Sequence, residues 1–138
     1  MSYSLGLWQA MLATVYVADK VRLGVHEFVP TSRVAEDLDI PAPSLSRLMR
    51  SLNRAGIIET REGANGGVRL AVPADEVTLR DLLEAIEQKA PLFRTDSAPR
   101  VQGETPTMRQ AALKVALGDA EAAMHSSLEE VTIADISK

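Results

Sequence analysis

Apolar side chains recur at helical spacing along most of the chain, interrupted near the middle by a glycine-rich extended stretch. Leu5 to Val21 is apolar nearly all round (Leu7, Trp8, Met11, Leu12, Val15, Tyr16), which predicts a helix buried on several sides, with Trp8 in core or interface packing. Gly24 to Val29 reads as a connector, with His26 a solvated loop residue. Pro30-Thr31-Ser32 opens a second helix, with Thr31 or Ser32 as its N-cap and Val34, Ala35 and Leu38 inward. Asp39 to Pro43 is a turn in which Ile40 plugs the core and Pro43 suits the first turn of the next helix. In that third helix Leu45, Leu48, Met49 and Leu52 share one face, and Ser46, Arg47, Arg50, Asn53 and Arg54 lie largely opposite. Gly56 is placed for a left-handed cap. Ile57 and Ile58 begin an extended run, Gly63-Ala64-Asn65-Gly66-Gly67 supplies the positive-φ residues of a hairpin tip, and Val68, Arg69 and Leu70 return.

Ala71 to Glu76 is a loop. Thr78 then caps a helix from Leu79 to about Gln88, with Asp81 completing a capping box and Leu82, Leu83 and Ile86 inward. Lys89 to Thr105, with Pro91, Pro99 and Gly103, predicts an irregular, mobile segment. Its Leu92 and Phe93 tuck against the body or, alternatively, line a ligand pocket. Pro106 to about Val131 is an Ala-rich helix striped by Leu113, Leu117, Ala120, Met124, Leu128 and Val131. A small domain has little core left for it, so it reads as a dimerisation element. Gly118 weakens its middle by about 1 kcal/mol relative to Ala and marks a place for a bend or break. Thr132 to Ile136 reads as a second Thr-capped turn. The expected fold is mainly α with a small β-hairpin wing. A winged helix-turn-helix spans 1–88, a flexible loop 89–105, and a dimerisation helix with a C-terminal turn 106–138.

The 138 residues suit one domain with an appended helix. There is no cysteine, which excludes disulfides, thiolate zinc sites and thiolate-held clusters. Leu5 to Ala18 is too short to span a bilayer, and Met1 to Ser4 lacks the basic side chain of a signal peptide. These features predict a cytoplasmic protein without a membrane partner. The chain carries a net charge of −4, yet residues 44–70 hold five Arg against two Glu, a local +3. A basic island on an acidic chain is the electrostatic footprint of a nucleic-acid contact.

Arg47 and Arg50 each offer a fork to guanine O6 and N7 or to phosphates. Ser44 and Ser46 are short enough to let the helix sink into a groove. Gly66 and Gly67 permit close backbone approach to a narrow groove, where Asn65 reads or bridges. The candidate contact set is completed by Arg54, Arg61 and Arg69. The alternative is a winged-helix module that presents the same face to an acidic protein partner. No Lys-Ser/Thr follows the glycines, so they are not a phosphate-binding loop. His26 and His125 are isolated surface residues, and Glu84 and Glu87 are solvated charges. With no metal-spaced cluster, nucleophile–base pair or cofactor loop, the sequence predicts neither an enzyme nor a cofactor.

Three stretches also resemble the Rrf-two family of bacterial winged helix-turn-helix regulators. They are Val34 to Ile40, Leu45 through Ile58 with Gly63 to Leu70, and Val77 to Ile86. The resemblance implies a homodimer on a pseudo-palindromic operator in double-stranded DNA, with repression as the default. It places Ser44, Ser46, Arg47 and Arg50 against DNA from the helix, and Arg61 to Gly67 against the backbone and minor groove. Sensing members carry three cysteines in the segment matching Lys89 to Thr107, where this chain has neither Cys nor His. Many members have a basic residue before the first wing glycine and an aromatic one after the glycine pair; here those positions are Glu62 and Val68. Any signal is then a small molecule or a protein effector rather than a cluster.

Overall fold

The computed structural model describes residues 3–88 and 90–138, so Met1, Ser2 and Lys89, the first residue of the expected irregular segment, lie outside the described residues. Its elements are α1 (Tyr3–Arg22), α2 (Thr31–Leu38), α3 (Ala42–Arg54), β1 (Ile58–Arg61), β2 (Gly67–Leu70), a 3₁₀ turn (Ala74–Glu76), α4 (Leu79–Glu87), α5 (Glu104–Glu129) and α6 (Ile133–Ile136). Helix, turn, helix and hairpin follow in the expected order.

The core gathers around the α3–hairpin junction, with Leu45, Leu52, Val29, Val68, Leu82 and Ile133 at its centre. α1 differs from expectation. Its fully buried positions are the small or branched Ala10, Ala13, Thr14 and Val17, whereas Trp8 is 58% exposed and not in the core. The buried Thr14 hydroxyl is satisfied by donating to the Ala10 carbonyl at 2.7 Å. α2 also starts differently: Pro30 is its N-cap, and Thr31 and Ser32 are already helical. Pro30 fixes its own φ at −57°, so the chain enters the helix without a side-chain cap.

α3 ends as its sequence dictates. Gly56 takes φ +78°. Its N–H donates to the Asn53 carbonyl, and the Ile57 N–H to the Leu52 carbonyl, each at 3.0 Å, which closes a Schellman turn. The hairpin pairs Ile58 with Leu70, Glu59 with Arg69, Thr60 with Val68 and Arg61 with Gly67. The expected connector contributes more than a link. Val29 bridges Val68 through two backbone hydrogen bonds of 2.8 and 2.9 Å, so it covers one edge of the hairpin.

Two capping boxes face each other on the far side of the core. The Thr78 hydroxyl accepts from the Asp81 N–H at 3.1 Å and the Thr132 hydroxyl from the Asp135 N–H at 3.0 Å. The Asp135 carboxyl sits below the usual carboxylate range because the Thr132 backbone N–H donates to it. Backbone bonds from Leu79 to Val131 and from Ile133 to Val77 join the two starts. The end of the long helix is thereby tied back to the body, and Ile133 is fully buried in the core.

α5 runs unbroken through Gly118 and starts two residues before the expected Pro106. Nothing lies within 4 Å of the place where a Gly118 side chain would sit. Gly118→Ala therefore stabilises the protein by up to about 1 kcal/mol through helix propensity alone, measured as a rise in the urea midpoint. The expected apolar stripe divides. Leu117, Met124 and Leu128 are half-buried, and the helix packs on α4. Towards the N-terminal end Met108, Leu113 and Val115 are 62%, 65% and 63% exposed.

Candidate nucleic-acid interface

α3 is fastened inward by Leu45, Leu48, Met49 and Leu52, all buried, and this sets what faces out. Arg47, Arg50 and Arg54 step by three and four residues, so they form one exposed stripe. Among the described residues none of the three has an ion-pair partner; the ion-paired arginines are Arg22, Arg61, Arg69, Arg80 and Arg94. Their forks are unengaged.

A groove flanks each side of the stripe. The larger, of about 610 Å³, runs between α3 and the hairpin, where Ser46, Arg50, Asn53 and Arg54 face Thr60 and Glu62. The Asn53 side chain donates to the Thr60 hydroxyl at 3.3 Å and fixes the helix against β1. The smaller groove, of about 330 Å³, holds Ser44 and Arg47 beside Gln9 of α1 and Glu87 of α4. Burial raises the Glu87 carboxyl above its ordinary value. Ser44 and Ser46 thus sit on opposite flanks, and Ser44 is half-buried rather than fully outward.

The wing's glycines and arginines are engaged within the chain itself. Gly67 has φ +147°, and a Cβ there would lie 2.2 Å from the Val29 carbonyl oxygen. At Gly66 a Cβ would lie 2.2 Å from the Arg61 carbonyl oxygen. The glycine pair is required by the chain's own close approach. The Asn65 carbonyl accepts from Arg61 Nε and Nη2, while its residue stays exposed at the tip. Arg61 and Arg69 both lie over the Phe28 ring and pair with Glu27. Sequence reasoning missed Phe28 and Glu27. No spacing within the connector marks them; the hairpin register accounts only for Glu59 opposite Arg69.

Away from this face, a cavity of about 240 Å³ lies where the irregular segment meets α4 and α5, lined among others by Leu83, Glu87, Leu92, Glu121 and His125. Leu92 is half-buried there, its N–H donating to the Glu121 carboxylate. Phe93 is exposed and does not tuck in. His26 and His125 are half-buried rather than on the open surface.

A family model described as Rrf2, an iron-dependent transcriptional regulator, matches residues 8–138. The chain belongs to the Rrf2 family. Among curated relatives it is 35% identical over 86 residues to the HTH-type transcriptional regulator IscR of Cereibacter sphaeroides, covering 62% of this chain and 55% of that one. It is 29% identical over 116 residues to protein rrf2 of Nitratidesulfovibrio vulgaris, covering 83% and 75%. The alignments with the first two curated relatives span little more than half of their length. In fold it matches T. potens IscR with a TM-score of 0.70 at 20% identity, covering 96% of this chain and 83% of that one. It matches the B. subtilis cysteine regulator CymR with a TM-score of 0.66 at 19% identity, covering 97% and 94%. At those identities the likeness is one of fold: mostly helical, with a two-stranded wing. Rrf2 proteins are DNA-binding regulators and not enzymes, and nothing here favours the protein-interaction alternative.

The iron in the family description does not fit these residues. The chain has no cysteine. Among the described residues no group of three or more His, Cys, Asp or Glu side chains could hold a metal ion. In the segment matching the sensing loop, Asp96 is the acidic side chain between residues 90 and 103, and it pairs with Arg94. No helix among the described residues is long and apolar enough to cross a membrane.

Proposed function

We propose that the chain is a cytoplasmic, sequence-specific transcriptional regulator, a repressor that binds a pseudo-palindromic operator as a homodimer without an iron–sulfur cluster. The observation that carries this reading is the unpaired Arg47–Arg50–Arg54 stripe beside the α3–hairpin groove. In the major groove Arg47 and Arg50 address base edges, Ser46 keeps the helix close, and Arg54 takes a phosphate. Ser44 supports Arg47 from the smaller groove. The tip around Asn65 and Gly66 approaches the minor groove, and Arg61 and Arg69 add stalk charge. A small-molecule effector would meet α4, the irregular segment and α5 together in the cavity beside Leu92.

The dimer reading rests on the open half of α5. A second copy of residues 106–138 covers Met108, Leu113 and Val115, which otherwise leave large apolar side chains in water. Leu113→Asp is expected to yield monomers by sedimentation and to weaken operator binding, because each half-site is then bound alone. If the variant stays dimeric, another surface joins the subunits.

Footprinting upstream of the chain's own gene tests the function. The expected result is two protected half-sites centred about 34 Å apart, or a multiple of that, on one face of the duplex. Absence of protection at every salt concentration contradicts the reading.

A further inference from the structure

Two of the five arginines in the basic stretch turn toward the chain's own connector. Strand alternation puts Glu59, Arg61 and Arg69 on the hairpin face opposite Val68. The guanidinium carbons of Arg61 and Arg69 lie over the Phe28 ring, 4.2 and 4.3 Å from its centroid. The neighbouring Glu27 bridges the same two side chains, each carboxylate oxygen lying 3.5 Å from one guanidinium. Arg69 also pairs with Glu59, and Arg61 also donates from Nε and Nη2 to the Asn65 carbonyl, which leaves its Nη1 to Glu27.

We propose that Phe28 and Glu27 act in opposite directions on DNA binding by the wing. Phe28 positions the two guanidiniums for phosphate contact, and Glu27 competes with the phosphates for them. The inference rests on the DNA-binding reading above. A ring beneath a guanidinium takes none of its N–H groups, so Phe28 orients the two forks without consuming them. Glu27 does consume them, because carboxylate and phosphate oxygens accept from the same N–H groups. The competition is open to phosphate. The Glu27 side chain is 65% exposed and those of Arg61 and Arg69 are 41% and 37% exposed, a setting in which ion pairs hold weakly. Glu27 therefore lowers both affinity and the number of counterions released.

The test is a titration of a duplex from upstream of the chain's own gene over a series of KCl concentrations. The proteins are the full wild-type chain, Glu27→Gln, Phe28→Leu, Phe28→Tyr and Glu130→Gln. Glu130 carries the same charge as Glu27 but lies just past the end of α5, exposed and without an ion pair among those described. Glu27→Gln should bind at least about threefold tighter, with the slope of log K against log salt steeper by about one per subunit. Glu130→Gln should leave the slope unchanged. Phe28→Leu should bind several-fold more weakly with a shallower slope, and Phe28→Tyr should restore both. If Phe28→Leu does not fold, the Glu27→Gln and Glu130→Gln slopes decide alone. Equal slopes for wild type and both Gln variants overturn the inference and leave DNA binding standing. A wild type that binds no duplex overturns both.

Discussion

Leu52→Ala is expected to lower the unfolding free energy by about 2–5 kcal/mol. Leu52 is fully buried at the centre of the core, between the recognition-type helix and the hairpin. Its carbonyl also takes the Ile57 N–H that closes the Schellman turn. Leu45, Leu48 and Met49 fasten the same face, and away from it α3 has few holds beyond the Asn53–Thr60 hydrogen bond. Its N-cap is Pro41, without a side-chain hydrogen bond, and its outward face is arginine and serine. A thirteen-residue helix of this kind is held by its apolar face and not by propensity. Losing that anchor removes a large part of a stability that for most domains totals about 5–15 kcal/mol. Urea unfolding followed by circular dichroism measures the loss. Arg54→Ala, on the exposed face of the same helix, should stay within about 0.5 kcal/mol of wild type. A Leu52→Ala chain as stable as wild type would mean that α3 is held from some other side.

The same division between faces explains how much could be read from the sequence. α3 and its cap were legible because the period of the leucines and the position of Gly56 are local signals. The capping box at Thr78 and the Thr132 cap are legible for the same reason, since each lies within four residues. Trp8 falls outside the core, which leaves interface packing as its expected role, because hydrophobicity alone does not say which side of an all-apolar helix meets the core. In α1 the close-packed side is the one with small residues, Ala10 and Ala13. The intrachain need for the glycine pair is not legible in the sequence, because Gly67 abuts Val29, 38 residues earlier in the chain. That contact depends on tertiary pairing. The Phe28–Glu27 cluster was invisible for the same reason: its members come from the connector and both strands, and no spacing within one segment encodes them. The candidate contact set therefore divides. Arg47, Arg50 and Arg54 are exposed and unpaired, as their helical spacing implies, while Arg61 and Arg69 are engaged by neighbours that only folding supplies.

This division makes the α3 arginines the decisive residues. Arg47 and Arg50 lie one turn apart, each on a different flank of the stripe, one by the α1 groove and the other by the hairpin groove. A helix laid in a major groove brings both within reach of base edges. Neither is tied to the protein, so neither substitution leaves a buried charge unpaired, and the loss falls on binding. Each contact that reads a base contributes about 1–3 kcal/mol. The measurement that bears most directly on the account is an anisotropy titration of the footprinted duplex with wild type and the Arg47→Ala/Arg50→Ala double variant at one fixed salt concentration. The account predicts a double variant that melts like wild type and binds at least about tenfold more weakly, which corresponds to about 1.4 kcal/mol. A double variant that binds within twofold of wild type would contradict it.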